Sequence, residues 1–282
     1  MKKAKIVADS SSDVLALEKV DFASAPLKII TSEKEFVDDS ELDVEAMVKY
    51  LGGYSGRSTT SCPNPEDWIS AFGEAEEVYC VTITSGLSGS YNSACLAKKL
   101  YEETHPERRV FVIDSLSTGP EMALIIKKLE EMIVADKSFE EISESIMNYK
   151  RKTGLLFMLE SMKNLANNGR VSKLSAKFAG LLNIRVVGKA SDKGELEPLD
   201  KPRGHKMTIQ KITDRLCELG YKGGKLFVTH CLNLKAAEDL AESVRKLFSE
   251  AEIIIGKCRG LCSFYAESGG MLIGFEKAKG EA

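Results

Sequence analysis

Glu77-Val78-Tyr79-Cys80-Val81-Thr82-Ile83 runs directly into Thr84-Ser85-Gly86-Leu87-Ser88-Gly89-Ser90, and a helical pattern carrying Tyr91, Cys95, Leu96 and Leu100 follows. The first seven residues are too short and too β-branched for a helix and read as a buried strand. The next seven are small and hydroxyl-bearing, as a tight turn requires. Strand, turn, helix is one step of a parallel sheet covered by helices. Working outward, 4–8, 22–29 and 109–113 read as further strands. Ser12-Asp13 reads as the start of a helix toward Lys19, Asp43 opens one that Gly52-Gly53 closes, and Asn64-Pro65-Glu66-Asp67 supplies a cap, a first-turn proline and two acids. Helices are expected at about 121–135 and 138–152.

The pattern then changes. An apolar strand over 154–159 leads to helices over 162–168 and 174–182. Strands over 183–187, 225–231, 251–256 and 271–275 follow, with helices over 208–219 and 234–248 between them. The expected fold is α/β: an N-terminal three-layer α/β/α domain with a mainly parallel sheet and carboxylate-binding turns (1–155), and a second α/β domain (156–282), with the ligand between them. A chain of 282 residues exceeds the usual size of one hydrophobic core, which supports two.

Net charge is −3, with basic and acidic residues interspersed, so no nucleic-acid footprint stands out. The basic start precedes an apolar run too short for a signal peptide, and no stretch approaches a membrane span, so a cytoplasmic location is expected. Seven cysteines form no CxxC pair and read as reduced, packed thiols. Cys258 and Cys262 alone make a weak metal pair, and no metal or cofactor is expected.

Four hydroxyl-rich turns at expected strand ends could bind an anion: Asp9-Ser10-Ser11-Ser12, Ser58-Thr59-Thr60-Ser61-Cys62-Pro63, Thr84 to Ser90, and Asp114-Ser115-Leu116-Ser117-Thr118-Gly119. Gly86 and Gly89 would let backbone approach a ligand, while Asp9 and Asp114 read as turn and cap residues. The segment lacks the Lys of a P-loop, and no G-x-G-x-x-G follows a strand. Gly86-Leu87-Ser88-Gly89-Ser90 matches a nucleophile elbow except for Ser90 in the last position. A serine hydrolase or acyltransferase using Ser88 is thus the alternative function, needing a base from His105, His205 or His230.

Together with Thr60-Ser61-Cys62-Pro63, Asn167-Asn168-Gly169-Arg170-Val171-Ser172 and Ser268-Gly269-Gly270, the turns resemble the ordered motifs of the DegV family, which includes bacterial fatty-acid-binding subunits of fatty acid kinase. The resemblance runs essentially end to end. It implies a lipid carrier with no catalytic residues of its own, which binds a long-chain fatty acid and presents its carboxylate to the kinase catalytic subunit for acyl phosphate formation. It places the carboxylate on Thr60 and Ser88, with Ser61 and Gly89 nearby, and partner docking on Arg170 and, less directly, Arg203. Phe157, Met158, Phe178, Leu181, Leu182 and Ile184 are candidates for an acyl tunnel by their apolar character. Where family members often carry a head-group histidine, this chain has Glu267. An ionised Glu267 would repel a carboxylate, so three readings stay open: it turns away, it is protonated, or the head group differs. Tyr265 could supply a phenol donor instead.

Overall fold

The computed structural model describes residues 3–171 and 185–278. Its strands are β1 (Ala4–Asp9), β2 (Asp21–Ala25), β3 (Lys28–Ile30), β4 (Glu35–Val37), β5 (Thr59–Ser61), β6 (Glu77–Thr82), β7 (Arg109–Asp114), β8 (Thr153–Leu159), β9 (Val186–Ala190), β10 (Leu196–Asp200), β11 (Tyr221–His230), β12 (Glu252–Lys257) and β13 (Met271–Lys277). Among the described residues they form three sheets, ordered β2-β1-β6-β7, β4-β3-β5 and β10-β9-β8-β13-β11-β12.

The first sheet is parallel throughout, with Ile6 opposite both Phe22 and Tyr79. On one face Val7, Val78 and Cys80 pack against Trp68 and Phe72 of helix Pro65–Phe72 and Ala94, Ala97 and Tyr101 of helix Ser90–Thr104. On the other, Ile6, Ala8, Tyr79 and Val81 meet Met122, Ile125 and Leu129 of helix Gly119–Val134 and Ile142 and Ile146 of helix Phe139–Lys150. Helices on both faces make the expected three layers. The expected caps at Asn64 and Asp43 are present, Asn64 in a reciprocal capping box with Asp67 and Asp43 accepting the Ala46 N–H; Ser138 and Glu141 form a second capping box.

In the six-stranded sheet only β11 and β12 are parallel; every other neighbouring pair is antiparallel. Its outer face carries helices His205–Glu218 and Leu234–Leu247, packed on Leu156, Met158, Leu226, Val228 and Ile273. Its inner face receives helix Gly119–Val134. Gly274 makes that approach possible, because a Cβ there would lie 2.5 Å from the backbone of Pro120 and Glu121.

Two expectations are corrected. The segment 22–29 is two strands in different sheets, since Pro26 cannot donate to a ladder and the chain turns there. Residues 10–12 form a single 3-10 turn, and the chain after Asp13 is irregular where a helix was expected. The chain enters the six-stranded sheet at Thr153, the first residue of β8, which pairs with β9 and β13. The expected helix over 174–182 lies outside the described residues.

Candidate functional site

An apolar cavity of about 80 Å³ lies between the two larger sheets. Ile83, at the end of β6, and Leu87 form its N-terminal wall with Leu27. Phe157 and Leu159 of β8, Leu272 of β13, Leu165 and Leu196 form the opposite wall. Helix Gly260–Ala266 closes one side through Leu261, Cys262 and Tyr265. Strand alternation decides which residues reach it. Leu155, Phe157 and Leu159 face inward, while Leu156 and Met158 point into the opposite core with Ile212 and Leu240. Met158 is therefore not a tunnel residue. Phe178, Leu181, Leu182 and Ile184 lie outside the described residues.

The polar lining is Thr60, Ser88, Thr118, Arg170 and Tyr265. Thr60 sits on β5, not in a turn, and its hydroxyl is 2.8 Å from the Tyr265 phenol. Burial pushes the Tyr265 phenol above its ordinary value, with Thr60 and Arg170 opposing, so it remains a neutral donor. The Ser88 hydroxyl accepts the Ser90 N–H at 3.3 Å and keeps its own proton available to another acceptor. Ser61 alternates away from Thr60 and is not in the cavity wall. Gly89 is the N-cap residue of helix Ser90–Thr104, where a Cβ would touch the Cys62 sulfur. Gly86 serves a different approach from the one expected: a Cβ would lie 2.9 Å from the Lys193 carbonyl oxygen, so it admits the β9–β10 hairpin tip, not a ligand.

Arg170 was expected at a partner surface, yet its half-buried guanidinium lines the cavity. Nε donates to the Leu87 carbonyl at 3.3 Å, one terminal nitrogen donates to the Asn168 carbonyl at 2.7 Å, and the group sits 6.0 Å from the Tyr265 ring centroid. Arg203 is exposed on the loop after β10.

Glu267 turns away. Its carboxylate accepts from the Ser161 hydroxyl at 2.8 Å and the Asn164 N–H at 3.0 Å, capping the short helix Lys163–Asn167. The Asn164 side chain donates to the Phe264 carbonyl, and that of Asn168 to the Ser58 carbonyl. The segment bearing Arg170 is thus tied to the elements bearing Tyr265 and Thr60.

Asp9 is fully buried and receives Ser90 Oγ at 2.6 Å, Ile83 N at 2.8 Å and the Ser11 hydroxyl, so it fixes the turns without reaching the cavity. Burial pushes its carboxyl up to about 6. Asp38 caps helix Gly260–Ala266 through Gly260 N and Leu261 N, at 2.7 and 2.8 Å. None of the three histidines lines this cavity: His205 pairs with Asp239, and His105 stacks edge-on against Tyr101. Among the described residues no cluster of three or more His, Cys, Asp or Glu could hold a metal.

An α/β chain of three sheets enclosing an apolar cavity with a hydroxyl-rich polar lining is an architecture suited to binding an amphipathic molecule. The DegV family model matches residues 3–278, and the chain belongs to that family. A DegV domain-containing protein of Streptococcus pneumoniae is 46% identical over 276 residues, covering 96% of this chain and 98% of that one. The solved Streptococcus pneumoniae Fatty Acid Kinase (Fak) B3 protein loaded with linoleic acid has 45% identity and a TM-score of 0.95, covering 98% and 100% of the two chains. A DegV family protein from Eubacterium eligens loaded with heptadecanoic acid has 43% identity and a TM-score of 0.94, covering 97% and 99%.

Proposed function

We propose that this chain binds one long-chain fatty acid, with its carboxylate at Thr60, Ser88, Tyr265 and Arg170 and its tail among Phe157, Leu159, Leu165 and Leu272. The observation that carries this reading is one cavity whose lining combines an apolar wall with the hydroxyls of Thr60, Ser88 and Tyr265 and the Arg170 guanidinium. Similar chains loaded with linoleic and heptadecanoic acids support the ligand class. Each buried methylene contributes about 0.8 kcal/mol, so the tail supplies most of the affinity. The head-group donors remove the cost of an unsatisfied buried carboxylate. An 80 Å³ cavity holds only a few water-sized groups, so a long tail must part the wall as it enters.

In this reading the protein is a cytoplasmic carrier without a catalytic centre, and it hands the carboxylate to an ATP-using fatty acid kinase. The similarity to the Fak B3 protein supports that partnership, and the exposed Arg203 remains a candidate docking residue. Among the described residues no helix is long and apolar enough to cross a membrane.

Mass spectrometry of lipid extracted from purified protein tests the binding half. Stoichiometric fatty acid, lost in the Thr60→Ala/Ser88→Ala double variant, is expected; a protein that neither carries nor takes up fatty acid refutes it. Incubating the loaded protein with kinase catalytic subunit and ATP tests transfer, and no acyl phosphate would remove that half alone.

A further inference from the structure

A second cavity, of about 560 Å³, lies on the far side of helix Gly260–Ala266 from the acyl site. It sits at the C-terminal ends of β11 and β12, the one parallel pair of its sheet, which helix Leu234–Leu247 connects. This β-α-β arrangement places a helix N-terminus at the strand ends, the position where open α/β sheets bind anions.

The helix start lacks its usual cap. Asn233 occupies the N-cap position, but its side chain donates to the Gly269 carbonyl at 2.6 Å. The N–H groups of Leu234, Lys235 and Ala236 have no acceptor among the described residues. A buried side chain independently points to a ligand. His230 is 5% exposed and forms part of the cavity wall. Its Nδ1 accepts the Asn233 N–H at 3.1 Å, which places the ring proton on Nε2. That Nε2–H has no protein partner among the described residues. Burial and the nearby Lys257 hold the imidazole below its ordinary value, keeping it neutral.

Lys257, opposite His230 in the β11–β12 register, supplies a cation at the rim. It pairs with Glu45 at 2.9 Å, but both side chains are mostly exposed. Such an exposed pair is weak, so the ammonium can exchange to an incoming anion. Asp43, the other acid in the wall, is engaged as the cap of helix Val44–Gly53. Val44, Val48, Leu232 and Leu234 give the cavity an apolar flank.

We propose that this cavity binds a small phosphate monoester, its phosphate held by the first turn of helix Leu234–Leu247, His230 Nε2–H and Lys257, and its body against the apolar flank.

The test is titration of intact, fatty-acid-loaded protein with phenyl phosphate, phenol or inorganic phosphate at low salt, followed by amide NMR and calorimetry. Phenyl phosphate is expected to bind saturably in the millimolar range or tighter, shifting the amides of Leu234, Lys235 and Ala236. Lys257→Ala and His230→Leu should each weaken it by at least about tenfold, as expected when a charge-assisted hydrogen bond is lost. Lys257 is exposed, so its variant decides the matter even if the His230 variant does not fold. No saturable binding, equal binding of phenol, or unchanged affinity in Lys257→Ala would overturn the proposal. Inorganic phosphate should bind more weakly than phenyl phosphate; equal affinity would overturn the role of the apolar flank. Co-sedimentation with phosphatidic acid vesicles separates the sources: vesicle capture without phenyl phosphate binding would overturn a soluble ligand.

Discussion

Replacing Asp13 by Asn should change how the stability of this protein depends on pH. Asp13 leaves the 3-10 turn at φ 60°, and its Oδ1 accepts the Arg259 N–H at 2.7 Å, just before the helix that carries Tyr265. Its Oδ2 is buried without a hydrogen-bond partner. Desolvation, reinforced by Asp38, pushes the carboxyl from 3.8 up to about 7. A folded-state value above the unfolded one means that the folded chain binds the proton more tightly. The resulting stabilisation is complete below about pH 4 and is lost as pH rises through about 7. The difference between 3.8 and about 7 sets an upper bound of roughly 4 kcal/mol on that stabilisation. Asn keeps an acceptor for Arg259 and does not titrate. Any cost of the amide itself is independent of pH, and removing the charge also relieves Asp38. Urea denaturation of parent and variant at about pH 5.5 and about pH 8 isolates the effect, and the variant should gain at least about 1 kcal/mol on its parent at the higher pH. A stability difference that stays constant, or moves the other way, would refute a buried, proton-binding Asp13.

Gly188→Ala places a Cβ 2.2 Å from the Phe157 ring and 2.6 Å from the Glu197 carbonyl oxygen, so a loss of about 1–3 kcal/mol is expected in thermal unfolding. An unchanged melting temperature would show that Phe157 can move without cost. Asp38→Ala leaves the buried N–H groups of Gly260 and Leu261 unpaired and should cost about 1–3 kcal/mol while loosening retention of fatty acid through Tyr265. Full stability with intact lipid retention would contradict that coupling. Glu267→Ala releases the helix that delivers Arg170, so its effect on fatty acid affinity should be less than additive with Arg170→Ala in a double-mutant cycle. Additive losses would mean that Glu267 does not position Arg170.

The parallel sheet was legible because its information is local. Each strand is a short apolar run, and each following turn or cap carries residues with one clear use, as at Asn64-Pro65-Glu66-Asp67. The small β4-β3-β5 sheet was not, because three-residue strands carry no period of their own and exist by pairing with distant segments. That cost the reading part of the site: Thr60 was placed in a turn, although its strand position is what aims it at Tyr265 and sends Ser61 elsewhere. Met158 shows the same limit from the other side. Apolar character identified β8 correctly, but the face that meets a cavity depends on what packs against each side of the sheet.

Glu267 faces away from the cavity and Arg170 lines it. In the sequence the acid read as an obstacle to a carboxylate ligand, and the family resemblance put the arginine at a partner surface. In the structure the acid is spent on Ser161 and the Asn164 N–H, and the arginine lines the cavity. The two facts have one cause. Capping by Glu267 starts the helix Lys163–Asn167, and the chain leaves that helix through Asn168 to put the guanidinium beside Tyr265. In the proposed reading, a neutral donor set with one cation would hold a carboxylate with its charge intact and would need no head-group histidine. The acid at position 267 therefore supports the proposed ligand by organising the opposite charge.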